Sequence, residues 1–230
     1  MLTTSWRVRL AAESLGAAGL LAAVVGSGVM AQRLTDDVAL QLLVNAAATA
    51  AVLGVLISSL APLSGAHLNP AVTLAQAVRG RHEWRAVAPY AGAQVVGAVA
   101  GTALANLMFG LPALHLSHHE RTGSGLWLGE VVATAGLVLT IGLLREGGRA
   151  ALVVPAWIFG AYFLTSSTSF ANPAVTVARA FSDTFAGIAP ASVPAFVVAQ
   201  LVGTAAAVGL LRILEAPPLK ARQPERAPHE

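Results

Sequence analysis

Asn69-Pro70-Ala71-Val72-Thr73-Leu74-Ala75 returns, almost unchanged, as Asn172-Pro173-Ala174-Val175-Thr176-Val177-Ala178. Asn followed by Pro is a helix start: the Asn side chain caps free N–H groups, and Pro suits the first turn. Pro70-Ala71 and Pro173-Ala174 therefore open two short apolar helices, 69–79 and 172–182. At about ten residues each is only ~15 Å long, half of the ~30 Å hydrocarbon core of a bilayer. Two half-helices meeting end to end span that core together, with both positive N-termini at its centre. If the side-chain oxygens of Asn69 and Asn172 act as caps, their amide NH2 groups are left as donors at the meeting point. A small neutral solute with oxygen lone pairs can accept from them, while the converging dipoles oppose cations.

The bulk of the chain agrees with a membrane setting. Its 230 residues are 56% apolar and 11% charged, against about 25% charge in soluble domains. That composition excludes a soluble globule. The net charge of +3 reflects Arg at membrane flanks, so no nucleic-acid surface is expected. The absence of Cys excludes disulfides, thiol catalysis and Cys-ligated metal.

Apolar runs occupy 10–31, 38–60, 84–109, 126–145, 150–167 and 191–214, with the half-helices after the second and fifth. Arg7 and Arg9 precede the first run in the manner of a signal peptide, but the run is too long for one and is read as a retained helix. The expected architecture is all-α, with six transmembrane helices and two re-entrant half-helices. The Pro-rich tail, 216–230, is expected to be a disordered cytoplasmic extension of a channel domain covering 1–215.

Repetition extends beyond the tripeptides. Glu13 with Gly19 matches Glu130 with Gly136, and Ala93-Gln94-Val95-Val96-Gly97 matches Ala199-Gln200-Leu201-Val202-Gly203. Repeat one covers about 8–109 and repeat two about 126–214. Three spans is an odd number, so the second repeat lies inverted, and its half-helix enters from the opposite face. With the N-terminus inside, all but Arg33, Arg121 and Arg179 of the 14 Lys and Arg fall on the inner side. The positive-inside rule then puts both termini in the cytoplasm.

The two Asn-Pro-Ala boxes, Ser64-Gly65-Ala66-His67 before the first, and the paired Glu13 and Glu130 resemble the aquaporin and glycerol-facilitator family over roughly 8–214. The resemblance implies a cofactor-free passive channel in the cell (inner) membrane, assembled as a homotetramer. It also implies a four-residue constriction, which carries over by spacing from the Asn residues onto Thr49, Gly160, Ser169 and Val175. The family usually has Arg directly after the second box; here Val175 stands there. Such a ring is wide and weakly charged. A branch lacking that Arg occurs beside arsenic-resistance functions in prokaryotes, and neutral arsenite displays hydroxyls much as glycerol does. Polyol or metalloid conduction is the first expectation and plain water flux the second.

Arg179 has two readings: a displaced substitute at the outer mouth, or an i,i+4 surface pair with Asp183. Glu13 and Glu130 are intramembrane carboxylates, so they either relay protons or accept backbone N–H groups from the loops before the half-helices. Their symmetric placement favours the structural role. His67 is expected to line the cytoplasmic lumen. His115, His118 and His119 have a spacing compatible with zinc, but lack supporting carboxylates beyond Glu120, and no metal site is expected. A secondary transporter would need Glu13 or Glu130 to hold a coupling ion. An enzyme on the His115 cluster would lack a nucleophile at recognisable spacing.

Overall fold

Eight α-helices and no strand make up the described residues, 5–144 and 149–215, of this computed structural model. They are α1 (Trp6–Leu34), α2 (Val38–Ser64), α3 (Pro70–Val78), α4 (Trp84–Met108), α5 (Ser124–Leu143), α6 (Ala150–Leu164), α7 (Pro173–Arg179) and α8 (Val193–Leu214). A 3-10 turn, Pro190–Ser192, leads into α8. Arg145 and the tail 216–230 lie outside the described residues, and so does the expectation of a disordered tail.

Five helices are long and apolar enough to cross a membrane: α1, α2, α4, α5, and α8 with its lead-in. The chain is an all-α multi-pass membrane protein. α6 is equally apolar but has only 15 residues. The run expected to reach 167 stops early at the Thr165-Ser166-Ser167-Thr168-Ser169 stretch. Thr165 is already extended, and Thr168 and Ser169 take positive φ. Thr and Ser side chains offer the backbone alternative partners, which weakens a helix at its end. α7 likewise ends at Arg179, short of the expected 182.

Polarity runs inside out. Leu15, Val55, Val96, Leu128, Leu152 and Ile213 are exposed, while Glu13, Asn45, Gln94, Asn106, Glu130 and Gln200 are buried. A lipid-facing surface favours apolar side chains, and polar groups turn inward to find partners. Asn45 does so by donating to the Val24 carbonyl at 2.7 Å and to Ser27 Oγ at 2.9 Å, tying α2 to α1.

The packing repeats as the sequence does. α1 lies against α2 and α4, α5 against α6 and α8, and α2 meets α6 across the repeats. α3 and α7 each pack on both α4 and α8. Gly97 and Gly101 let α4 approach α1 closely, since a Cβ at either would strike the carbonyl of Ser14 or Ala18. Gly203 does the same on α8, where a Cβ would fall 2.5 Å from the Val131 oxygen.

Candidate functional site: the junction of two half-helices

Each short helix is held by the same set of groups. Asn69 caps α3, with Oδ1 accepting from Ala71 N at 2.8 Å. Asn172 caps α7, accepting from Ala174 N at 3.0 Å and Val175 N at 3.3 Å. Pro70 and Pro173 occupy the first helical positions, where a missing N–H costs nothing.

The loops before the two caps are irregular, with Ala66, Leu68, Ser169 and Ala171 all at positive φ between 47° and 52°. For residues with a Cβ that backbone costs of order 1 kcal/mol or more each. A buried carboxylate offsets it in both places. Glu13 accepts from His67 N at 3.0 Å, Leu68 N at 2.7 Å and Gln94 Nε2 at 2.7 Å. Glu130 accepts from Phe170 N and Ala171 N, both at 2.9 Å, and from Gln200 Nε2 at 2.6 Å. The two glutamines also donate to Thr73 Oγ1 at 3.1 Å and Thr176 Oγ1 at 2.8 Å, one turn into each half-helix. Both carboxylates are fully buried and occupied by backbone and glutamine donors.

The turned backbone also presents two carbonyls across the junction. Asn69 Nδ2 donates to Ala171 O, and Asn172 Nδ2 to Leu68 O, each at 2.8 Å. This modifies the expectation of a free NH2. One of the two N–H bonds of each amide ties the opposite repeat, and the other is left for the cavity.

That cavity, about 310 Å³, runs past both Asn residues. Thr49, Ser169 and Val175 line it, as do His67 and Arg179. Gly160 does not. It lies on the exposed stripe of α6 with Leu152, and a Cβ added there would meet nothing within 4 Å. Ile158 and Tyr162 occupy the cavity face instead. Counting back from Asn172 crosses an irregular loop, which loses the helical phase.

Arg179 is 2% exposed and does not pair with Asp183. With α7 ended, the i,i+4 geometry does not exist. Its Nε donates to the Ala186 carbonyl, and its guanidinium lies 3.4 Å from the Phe170 ring centroid. Asp183 pairs with His118, whose N donates at 2.9 Å and whose Nδ1 lies at 3.0 Å. These hydrogen bonds hold the Asp183 carboxyl below the usual carboxylate range. His115 turns to the Pro112 carbonyl, and no group of three metal-ligating side chains gathers among the described residues.

Sequence reasoning missed Tyr162, Phe170 and Gln76, all on the cavity. It also missed the bridging roles of Gln94, Gln200, Thr73 and Thr176. For the glutamines a signal existed, since both lie in the matching third-span segments.

Residues 2–165 match the family model described as Major intrinsic protein. The chain is 51% identical over 225 residues to the aquaglyceroporin AqpS of Rhizobium meliloti (strain 1021), covering 96% of this chain and 97% of that protein. It is 37% identical over 133 residues to the glycerol uptake facilitator protein-like 5 of Lactiplantibacillus plantarum, covering 53% of this chain and 49% of that one. Its fold resembles the X-ray structure of the aquaglyceroporin from Plasmodium falciparum, with a TM-score of 0.69 at 21% identity, covering 92% and 98% of the two chains. The chain belongs to the major intrinsic protein family and is a passive membrane channel for small uncharged solutes, not an enzyme.

Proposed function

We propose that the chain is a wide pore, without Arg directly after the second box, for small polyhydroxy solutes, glycerol-like polyols and neutral arsenite among them, with water as a secondary cargo. The observation that carries this is Val175: it follows the second box, where the family usually has Arg, and it lines the cavity beside Thr49 and Ser169. A short apolar side chain there leaves width and adds no charge. Two of the relatives, an aquaglyceroporin and a glycerol uptake facilitator by name, support the same class.

In this reading residues 1–215 form one channel domain, with repeats of about 8–109 and 126–214. α3 and α7 are re-entrant halves entering from opposite faces, and α6 with its following loop makes the sixth crossing. Asn69 and Asn172 each offer their remaining amide N–H to the solute at the membrane centre. His67 lines the cytoplasmic half and Arg179 the outer half. Glu13 and Glu130 are structural acceptors; their bonded state leaves no site for a coupling ion and counts against a secondary transporter. The unit sits in the inner membrane as a homotetramer with both termini in the cytoplasm.

Stopped-flow flux in proteoliposomes, with water, glycerol, urea and arsenite, tests the reading. Glycerol and arsenite flux should be fast, cofactor-free and insensitive to ionophores. Flux of water alone would overturn the polyol assignment, and ionophore-sensitive flux would overturn the passive one.

A further inference from the structure

At the His67 end of the cavity the hydrogen bonds settle which ring nitrogen carries the proton. Thr73 Oγ1 donates its one proton to the Asn69 carbonyl at 3.0 Å. Its two other contacts, Gln94 Nε2 and His67 Nδ1, both at 3.1 Å, therefore donate to it. His67 is the Nδ1–H tautomer, and Nε2, across the ring, keeps its lone pair. Metal-ligating histidines are held in this way, with the second nitrogen donating to a fixed acceptor. His82, in the turn between α3 and α4, packs on His67 with ring centres 4.7 Å apart and planes tilted by 60°. The tilt excludes a parallel stack. Two imidazoles on one tetrahedral Zn2+, with Zn–N of about 2.0–2.1 Å, set their ring centres about 5 Å apart. His82 Nε2 is buried and has no hydrogen-bond partner among the described residues. Tyr90 backs both rings, 4.7 Å from His82 and 5.6 Å from His67. Gln76 lines the cavity with His67, and its Oε1 is likewise buried without a partner.

We infer that His67 and His82 form a binding site for a borderline transition-metal cation, Zn2+ or Cu2+, and that the bound ion obstructs this end of the cavity. The two Nε2 atoms are the ligands. Gln76 Oε1 is an acceptor for water on the ion, and water completes the coordination. The ligand set is neutral, because the carboxylates of this end are engaged: Glu13 by backbone and Gln94, and Glu83 by Arg85. Arg9, 5.3 Å over the Tyr90 ring, opposes any cation, so only one that gains from imidazole nitrogen is held. Mg2+ and Ca2+, which take oxygen ligands, do not. The obstruction, though not the binding, rests on the proposed reading of the cavity as the conduction path.

The test uses the full chain. In proteoliposomes, glycerol and water flux are titrated with Zn2+ and compared with each variant's own metal-free flux. Zn2+ should block both solutes together, and Mg2+ at the same concentration should block neither. His82→Phe keeps a ring against Tyr90 but no ligand. It should raise the Zn2+ concentration for half-block at least about tenfold, since even the supporting groups of metal sites are worth about 10–100-fold in affinity. His82→Cys, which returns a ligand, should restore the block. In detergent, Cu2+ bound to the wild-type chain should show hyperfine coupling to two nitrogens by electron paramagnetic resonance, and to fewer in His82→Phe. Equal Zn2+ block in wild type and His82→Phe would overturn the inference, as would equal block by Mg2+ or a Cu2+ spectrum unchanged by the substitution. Val175→Arg separates the two levels. If it blocks glycerol while Zn2+ neither binds nor blocks, the pore reading stands and this inference falls. If two nitrogens bind Cu2+ and neither Zn2+ nor Val175→Arg changes flux, the site stands and the cavity is not the path.

Discussion

The two half-helix junctions have the same skeleton and different linings. Glu13, Gln94, Thr73 and Asn69 make the bonds in repeat one that Glu130, Gln200, Thr176 and Asn172 make in repeat two. Yet in the register of the boxes His67 corresponds to Phe170 and Gln76 to Arg179, while Tyr90 in α4 corresponds to Phe196 in α8. His67 sits among rings, 4.7 Å from His82 and 5.6 Å from Tyr90. Arg9 donates to the Tyr90 hydroxyl at 2.8 Å, which donates on to the Ser64 carbonyl at 3.0 Å. Phe170 lies instead under Arg179, with Arg121 at 5.1 Å and an edge contact to Phe196 at 5.2 Å. Where irregular backbone needs partners away from water, both halves use one solution. Where a side chain faces the cavity no such demand exists, and the halves have diverged into an imidazole end and a guanidinium end.

The strongest challenge to this comparison is at the shared skeleton. Asn69→Leu and Asn172→Leu each remove a cap and a donor across the junction, so flux of every solute should collapse equally in both. Normal conduction by either folded variant in proteoliposomes would remove the junction from the path. Next come Glu13→Gln and Glu130→Gln. Each turns one acceptor oxygen into an NH2 facing N–H donors, costing about 3 kcal/mol or more. Folded yield from detergent-solubilised membranes should drop alike for the two, with per-channel flux little changed. Unequal yields would mean that the two loops are not supported in the same way.

The lining gives smaller, one-sided effects. Val175→Arg should lower glycerol flux about tenfold, equivalent to about 1.4 kcal/mol, and water flux less. Any cation leak should fall with it. Val175→Leu narrows the same ring without charge and should lower glycerol flux roughly two- to threefold, leaving ion leak alone. The smallest effect belongs to the guanidinium end's loop. Asp183 titrates below its ordinary range because His118 bonds the carboxylate. Its contribution to stability is therefore present above the ordinary carboxylate range and is lost as pH falls through the lowered value. Asp183→Asn should lower the melting temperature at neutral pH by no more than about 2 °C, and the difference from wild type should vanish in acid.

What was legible in the sequence follows the same division. The boxes, the paired Glu residues and the matching Gln segments could be read because a repeated backbone problem leaves a repeated string. The lining left no such string. Gly160 was placed by counting through a loop that carries no helical period, so the count arrived on the wrong face of α6 and passed over Tyr162. The Arg179–Asp183 pair needs helical phase to continue past Arg179, where α7 ends. The amide groups of Asn69 and Asn172 could be counted from their chemistry, but their carbonyl partners depend on the left-handed turns at Leu68 and Ala171, which neither residue announces.

The bonds across the junction also impose an order on biosynthesis. Asn69 waits for Ala171, and Leu68 for Asn172, partners 102 and 104 residues apart in the chain. A ribosome adding roughly 5–20 residues per second leaves the first half-helix without its counterpart for several seconds to tens of seconds. Over that interval its loop has Glu13 to satisfy two N–H groups, but the Leu68 carbonyl and the Asn69 amide have no protein mate. The junction can therefore close only after the second repeat has been made.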